Sequence, residues 1–216
     1  MTYQSEKGVS EGRNPHSPFS LDTLKKSEVI IIWGKDFHSS DSEEFSLLGE
    51  KKIIVIDPFQ TSLAKKADLH IQIRPHCDLH LALLLSRFTI IEGSHDKKFL
   101  KEYASNYEEF YELTQGIRIK ATLEAIGVSL GEIGTLLELI REKRTVILVG
   151  SGVQKYQNGN EVLSAIDAFG MILGLFGKHG CGVNYLGSSY EGSEPPFCGA
   201  FEFIEEVDLS FEDVSE

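Results

Sequence analysis

Short apolar runs recur along the chain, and each ends in a glycine, an acid or a proline. Their residues are mostly Ile, Val and Leu, and they do not alternate with polar residues. Such continuous runs are typical of strands that are buried on both faces of a parallel sheet. The pattern predicts strands over residues 28–33, 52–57, 69–73 and 145–149.

Longer segments with helical spacing separate these runs. Ser40 with Glu43, and Ser129 with Glu132, have the spacing of capping boxes, and Asp96 is placed to cap a further helix. The predicted helices end at Leu48, cover 79–91, 99–111 and 133–141, and begin near Asn160. Strands that alternate with helices predict an α/β fold with a parallel sheet and helices on both faces, as in Rossmann-like domains.

Composition divides the chain into three parts. Residues 1–26 are polar and rich in Ser, Gly and Pro, which predicts a lead-in segment. Residues 27–196 hold the predicted α/β domain. Residues 202–216 contain seven acids and no base, so we interpret 197–216 as an acidic tail and expect the natural chain to continue beyond it.

Net charge and cysteine content limit which partners the protein can bind and in which cellular compartment it is expected. A formal net charge of −12 over 216 residues argues against nucleic acid as a partner. No apolar run is long enough for direct membrane insertion. Three widely spaced cysteines without a CxxC pair favour a cytoplasmic location, and attachment to the inner face of the membrane through partner subunits stays open.

The clearest chemical signal is an acid at the end of a predicted strand. Asp57 directly follows the apolar run 53–56, and in open α/β sheets ligands bind beyond the carboxyl ends of the strands. A carboxylate there can accept hydrogen bonds from a ribose or a purine. The turn Gly150-Ser151-Gly152 follows another strand, where backbone amides could approach a phosphate. The sequence therefore predicts a nucleotide site.

Several motifs, in this order, resemble those of the molybdopterin oxidoreductase family. They are Trp33-Gly34-Lys35-Asp36, Ile56-Asp57-Pro58-Phe59-Gln60-Thr61, Ala67-Asp68, Arg74-Pro75-His76-Cys77-Asp78, Val149-Gly150-Ser151-Gly152-Val153-Gln154 and His179-Gly180-Cys181-Gly182-Val183-Asn184. The resemblance runs from about residue 8 to about residue 196. It implies the fold of formate dehydrogenase and dimethyl sulfoxide reductase and a molybdopterin guanine dinucleotide cofactor.

The resemblance also implies a set of cofactor-binding residues, with no catalytic residue and no metal ligand. Asp78 would accept hydrogen bonds from the guanine. The candidate residues are Gly34, Asp36, Asp57, Thr61, Asp78, Gly150, Gly152 and Gln154.

Departures from the family pattern favour a degenerate cofactor site. The family has Arg where this chain has Phe59, Asn at Asp36, and Gly-Thr at His76-Cys77. The cysteines of the family's iron–sulfur clusters are absent, so any clusters would lie in missing upstream sequence. These losses resemble the large peripheral-arm subunit of NADH-quinone oxidoreductase (respiratory complex I). The first hypothesis is therefore a domain that supports electron transfer among the other subunits of a respiratory complex, with no activity of its own.

Two other functions stay open at this point. The chain could be a fragment of a genuine molybdopterin guanine dinucleotide enzyme, such as a formate dehydrogenase or nitrate reductase, or a stand-alone nucleotide-binding module. Individual residues also have structural alternatives. Asp57 could only end a strand, Asp78 could be a helix N-cap, and Asp68 is expected to tie a turn. His76, Cys77 and His80 are three potential metal ligands without a matched fourth.

Overall fold

Five parallel strands lie at the centre of the described chain, in the order β3-β2-β1-β4-β5. The computed structural model describes residues 21–35, 48–49, 51–150, 152–153 and 158–185. The strands are β1 (Val29–Trp33), β2 (Lys52–Ile56), β3 (Leu69–Ile71), β4 (Thr145–Val149) and β5 (Gly182–Tyr185). The α/β fold with a parallel sheet is confirmed.

The register of β1 places the carboxyl ends of three strands side by side. Trp33, its last residue, pairs with Ile56 of β2 and with Val149 of β4. The chain runs from β1 outward through β2 to β3, then returns to add β4 on the other side of β1. This reversal between β1 and β4 is a topological switch point, the place where open α/β sheets bind ligands.

Seven α-helices and one short 3₁₀ helix lie within the described residues. They are α1 (Leu21–Lys26), the 3₁₀ helix (Ala64–Lys66), α2 (Asp78–Ile91), α3 (Lys97–Tyr103), α4 (Tyr107–Gln115), α5 (Ile119–Ile126), α6 (Leu130–Ile140) and α7 (Gly159–Ile172). None of the described helices is both long and apolar enough to cross a membrane.

Both faces of the sheet are covered, as predicted. Side chains of β1 alternate between the two faces, as in any strand. Val29, Ile31 and Trp33 join the larger core with α2, α6 and α7, whereas Ile30 and Ile32 join a smaller core on the opposite face. The smaller core contains Leu24 of α1 and Leu48, Leu63 and Ala64. Burial on both faces explains why β1 is an uninterrupted apolar run.

Two predicted helix starts are confirmed by their caps. The Ser129 hydroxyl accepts a hydrogen bond from the Glu132 amide, and the Glu132 carboxylate accepts one from the Ser129 amide. The Asp96 carboxylate accepts a hydrogen bond from the Phe99 amide. The predicted capping box at Ser40 and Glu43 lies outside the described residues.

The sequence prediction was wrong about the aromatic segment and missed four elements. The predicted helix through 99–111 is broken into α3 and α4. Helix α3 ends at its C-cap Ala104, where the backbone becomes extended with ψ 124°, and Asn106, with φ 56°, is the N-cap of α4. Asparagine tolerates the left-handed conformation better than most residues, which suits Asn106 to the position directly before α4. The prediction omitted α1, the 3₁₀ helix, α5 and β5.

Replacing Gly150 with alanine should destabilise the fold, because a Cβ at Gly150 would lie 2.0 Å from the carbonyl oxygen of Gly34. The carbonyl of Gly34 and the backbone of Gly150 both lie at strand ends, so neither can move without disturbing the sheet. Gly150→Ala should lower the free energy of unfolding by about 2 kcal/mol or more, measured by urea denaturation.

Gly134→Ala is the matched control, because a Cβ at Gly134 on the surface of α6 would meet no atom within 4 Å. It should raise stability by about 0.5–1 kcal/mol through the higher helix propensity of alanine. Equal effects at the two glycines would contradict the close backbone packing at Gly150.

Candidate functional site

The turn after β1, which contains Gly34, and the turn after β4, which contains Gly150, cross at the switch point of the sheet. The Gly150 amide donates a hydrogen bond to the Trp33 carbonyl at 2.8 Å, and the Gly34 amide donates one to the Ile56 carbonyl at 2.9 Å. Gly34 has a φ of 61°, and a Cβ on it would lie 2.3 Å from the Val153 side chain. The two glycines are therefore required by the packing of the turns on each other.

This packing changes which backbone groups are available to a phosphate. The Gly34 and Gly150 amides are both used by the sheet, so they cannot also face a ligand. The first amides of α7, from Gly159 onward, lack partners within the helix, as at any helix N-terminus. Because α7 is the helix that follows β4, these amides are the described backbone groups best suited to a phosphate.

Asp57 organises the loop that follows β2. Its side chain is 8% exposed, and its Oδ1 accepts a hydrogen bond from the Phe59 amide at 2.8 Å. Its carbonyl oxygen lies 3.0 Å from His70 Nε2, which must be the protonated nitrogen for this bond to form. Asp57 therefore shapes the strand end and also places a carboxylate at the carboxyl edge of the sheet.

Thr61 completes the same loop. Its amide donates to the Phe59 carbonyl at 3.0 Å, and its hydroxyl accepts a hydrogen bond from the Ala64 amide at 3.1 Å. Gln72 donates from Nε2 to the Pro58 carbonyl at 2.9 Å. The described contacts of Thr61 are thus structural, and its predicted role in cofactor binding stays a prediction.

Asp78 is linked to Trp33, 45 residues earlier in the chain. Trp33 Nε1 donates to Asp78 Oδ1 at 2.6 Å, and both residues are buried, Asp78 with 2% exposure. The interpretation of Asp78 as an N-cap was wrong by one position, since the N-cap of α2 is Cys77 and Asp78 is the first helical residue. Its negative charge in the first turn is still favourable to the helix dipole.

The structure gives Cys77 no reactive environment. Cys77 is fully buried, and burial, together with the neighbouring Asp78, raises the pKa of its thiol to about 11. Among the described residues, no three His, Cys, Asp or Glu side chains form a group that could hold a metal ion.

Lys35, which follows Gly34 at the crossing of the two turns, was not among the predicted site residues. Its Cβ lies 2.8 Å from the position of a Cβ on Gly150, so the side chain starts at the switch point itself. Its place directly after the Trp33-Gly34 pair was the available signal. A basic side chain therefore starts at the edge where the substitution of Phe59 for the family arginine had seemed to leave none.

Glu161 in the first turn of α7 is an acid close to the same edge. Burial raises the pKa of Glu161 above its ordinary value. Its Oε2 is buried and makes no hydrogen bond to any part of the chain that the structure describes. A raised pKa means that this carboxyl takes up a proton more readily, which lessens its repulsion of an anion.

The structure brings most of the described candidate residues to one edge and separates one acid from them. Gly34, Asp57, Gly150 and the Trp33–Asp78 pair lie at or behind the carboxyl ends of β1, β2 and β4. Gly152 lies in the turn after β4, whereas Asp36 and Gln154 lie outside the described residues. Asp68 binds the Ile53 amide near the start of β2, consistent with a structural role.

Comparison with known proteins places this architecture in a family. A model of the molybdopterin oxidoreductase family matches residues 3–205, which is nearly the whole chain. The chain belongs to the molybdopterin oxidoreductase family.

Its relatives include formate dehydrogenases and trimethylamine-N-oxide reductases. Formate dehydrogenase H of Escherichia coli is 30% identical over 173 residues, covering 76% of this chain and 24% of the relative. The alpha subunit of F420-dependent formate dehydrogenase 2 of Methanococcus maripaludis is 29% identical over 176 residues, covering 77% and 26%. Trimethylamine-N-oxide reductase 1 of E. coli is 28% identical over 200 residues, covering 80% and 24%.

A solved structure shares the fold. Acetylene hydratase from Pelobacter acetylenicus superposes with a TM-score of 0.66 at 22% identity, covering 82% of this chain and 24% of that protein. The chain spans about a quarter of the length of the curated relatives it matches.

The described residues fit the nucleotide end of a dinucleotide cofactor in part. Asp57 places a carboxylate at the edge, and Lys35 and the first amides of α7 supply positive charge for a pyrophosphate. Asp78 fits less well as a guanine acceptor in this geometry, because it lies behind Trp33 with 2% exposure. Its described role is to fix Trp33 and the start of α2.

Trp33→Phe should destabilise the domain, because it removes the N–H group that binds the buried Asp78 carboxylate. We expect the free energy of unfolding to fall by about 2–4 kcal/mol, from the lost charge-assisted hydrogen bond and the smaller ring. Chemical denaturation followed by circular dichroism measures this loss.

Asp78→Asn and the double variant complete the test. If the hydrogen bond to a charged carboxylate matters, Trp33→Phe should cost about 1 kcal/mol less in the Asp78→Asn background. Additive effects of the two substitutions would show that Trp33 contributes packing alone.

Proposed function

We propose that this chain is the nucleotide-holding domain of a molybdopterin guanine dinucleotide-dependent oxidoreductase of the formate dehydrogenase kind. The observation that carries the proposal is the convergence at the switch point. There the turns after β1 and β4 cross at Gly34 and Gly150, with Asp57 on the adjacent strand end. The formate dehydrogenases among the relatives support this choice of enzyme class.

The residues of this edge would divide the binding of the nucleotide between them. Lys35 and the N-terminus of α7 would hold the pyrophosphate, since both place positive charge at the end of β1 and β4. Asp57 would accept a hydrogen bond from a ribose hydroxyl. When bound, the cofactor supplies the molybdenum centre at which redox chemistry takes place.

Catalysis would need segments that correspond to the rest of the longer relatives. Because this chain corresponds to about a quarter of its relatives, substrate binding and the coordination of the metal would depend on segments outside it. The domain would orient one end of the cofactor through its rigid sheet edge. On this proposal the 216-residue chain alone binds a guanine nucleotide but does not oxidise formate.

A second candidate function is favoured by Phe59. The family arginine is replaced there by a side chain that is 72% exposed and uncharged. Such a loss fits a scaffold domain with a degenerate site, as in the large peripheral-arm subunit of NADH-quinone oxidoreductase. Its partners would be other subunits of a respiratory complex, and any membrane attachment would go through them.

Guanosine diphosphate separates the two candidates, because a ligand that binds only the folded chain must raise its melting temperature. At ten times its dissociation constant, it should stabilise the chain by about 1.4 kcal/mol, or roughly 3–5 °C for a domain of this size. Inorganic pyrophosphate should give a smaller shift. The absence of any shift with guanosine diphosphate would favour the scaffold function.

Lys35→Met tests the assignment within the site. It should weaken guanosine diphosphate binding about tenfold and leave guanosine binding unchanged, because it removes a charged partner of phosphate only. Lys66→Met, at an exposed position of the 3₁₀ helix, is the matched control and should change neither affinity. Isothermal titration calorimetry measures both, and equal losses in the two variants would contradict a specific role for Lys35.

A further inference from the structure

Phe59 is the most exposed large apolar side chain among the described residues, at 72%, and it lies three residues beyond β2. A single exposed apolar residue is common on protein surfaces and by itself requires no explanation. The location of Phe59 is what indicates a function, because its loop lies at the carboxyl end of β2, next to the switch point where such sheets bind ligands.

The backbone of Phe59 is held on both sides. Its amide donates to Asp57 Oδ1 at 2.8 Å, and its carbonyl accepts from the Thr61 amide at 3.0 Å. The preceding carbonyl, of Pro58, accepts from Gln72 Nε2 at 2.9 Å, and the proline ring restricts φ. The loop therefore holds an exposed phenyl ring on a fixed backbone.

We propose that Phe59 is an aromatic platform on which the flat base of the nucleotide stacks, and that it makes binding depend on the base. This inference rests on the proposed function and adds a specificity-determining residue to it. An aromatic face attracts a purine by stacking and apolar contact, without a charge on either partner. A ring on a fixed loop loses little freedom on binding, which favours this use of an exposed aromatic side chain.

The layout of the edge separates the base from the phosphates. Strands β2 and β4 flank β1, so their ends lie about 10 Å apart at ordinary strand spacing. An extended nucleotide can bridge this span, with its pyrophosphate at Lys35 and α7 and its base at the β2 loop. The charge needed for phosphate lies on the β1 and β4 side, so a neutral ring at Phe59 is compatible with binding.

The test uses the full 216-residue chain and calorimetric titration with guanosine, guanosine diphosphate and pyrophosphate. Phe59→Leu keeps an apolar side chain but removes the ring. It should weaken guanosine and guanosine diphosphate binding about tenfold or more and leave pyrophosphate binding unchanged. Tyr103→Leu, at a 65% exposed aromatic position on α3, is the matched control and should alter none of the three affinities.

Phe59→Trp gives a direct readout of stacking. The introduced indole should retain binding, and its fluorescence should be quenched as guanosine is added. The native Trp33 is fully buried, so acrylamide quenching distinguishes the two emissions.

The outcomes separate this inference from the proposed function. Wild-type affinity in Phe59→Leu together with unquenched indole emission in Phe59→Trp would overturn the platform and leave the nucleotide site standing. A wild-type chain that binds neither guanosine nor guanosine diphosphate would overturn both. Loss of binding in Phe59→Leu with indole quenching in Phe59→Trp would support both.

Discussion

The contact between two backbones at the switch point fixes the geometry of this domain. The oxygen of Gly34 occupies the space where any other residue at 150 would place its Cβ, so the turns after β1 and β4 can approach only through glycine. The hydrogen bonds from Gly150 to Trp33 and from Gly34 to Ile56 then tie three strand ends together. Because these ends are held by backbone atoms, the side chains beyond them start from fixed positions.

Gly34 and Gly150 thus have a packing role that the sequence did not indicate, and the predicted part of the Gly150–Gly152 turn in phosphate binding stays a prediction. A glycine-rich turn after a strand has two common uses, close approach to a ligand and close approach to another backbone. Sequence alone does not distinguish them, since both need the absence of a Cβ. Here the amides of both glycines donate hydrogen bonds to other strand ends, so the proposed binding of a pyrophosphate rests on the N-terminus of α7 and on Lys35.

Elements with strong local signals could be predicted from the sequence, and elements that depend on distant contacts could not. Four apolar runs and the Ser129–Glu132 capping box gave four strands and the start of α6. Strand β5 was missed because Gly182 and Asn184 give it little strand character, and its pairing with β4 comes from the fold. The Trp33–Asp78 bond joins residues 45 positions apart, so no local pattern indicates it. For the same reason the burial of Asp78 behind Trp33 could not be foreseen.

The replacement of the family arginine by Phe59 can be interpreted in two ways, as the loss of a phosphate partner or as the gain of a ring on which a base stacks. Taken as a loss of charge, it indicates a site that no longer binds a phosphate. Lys35 weakens that argument, because its basic side chain starts one strand away, where the turns cross. The hydrogen bonds of the Asp57–Thr61 loop also weaken it, since they keep the edge ordered around an exposed ring. The proposed stacking of a flat base on Phe59 would use that order, because a ring on a fixed backbone loses little freedom on binding.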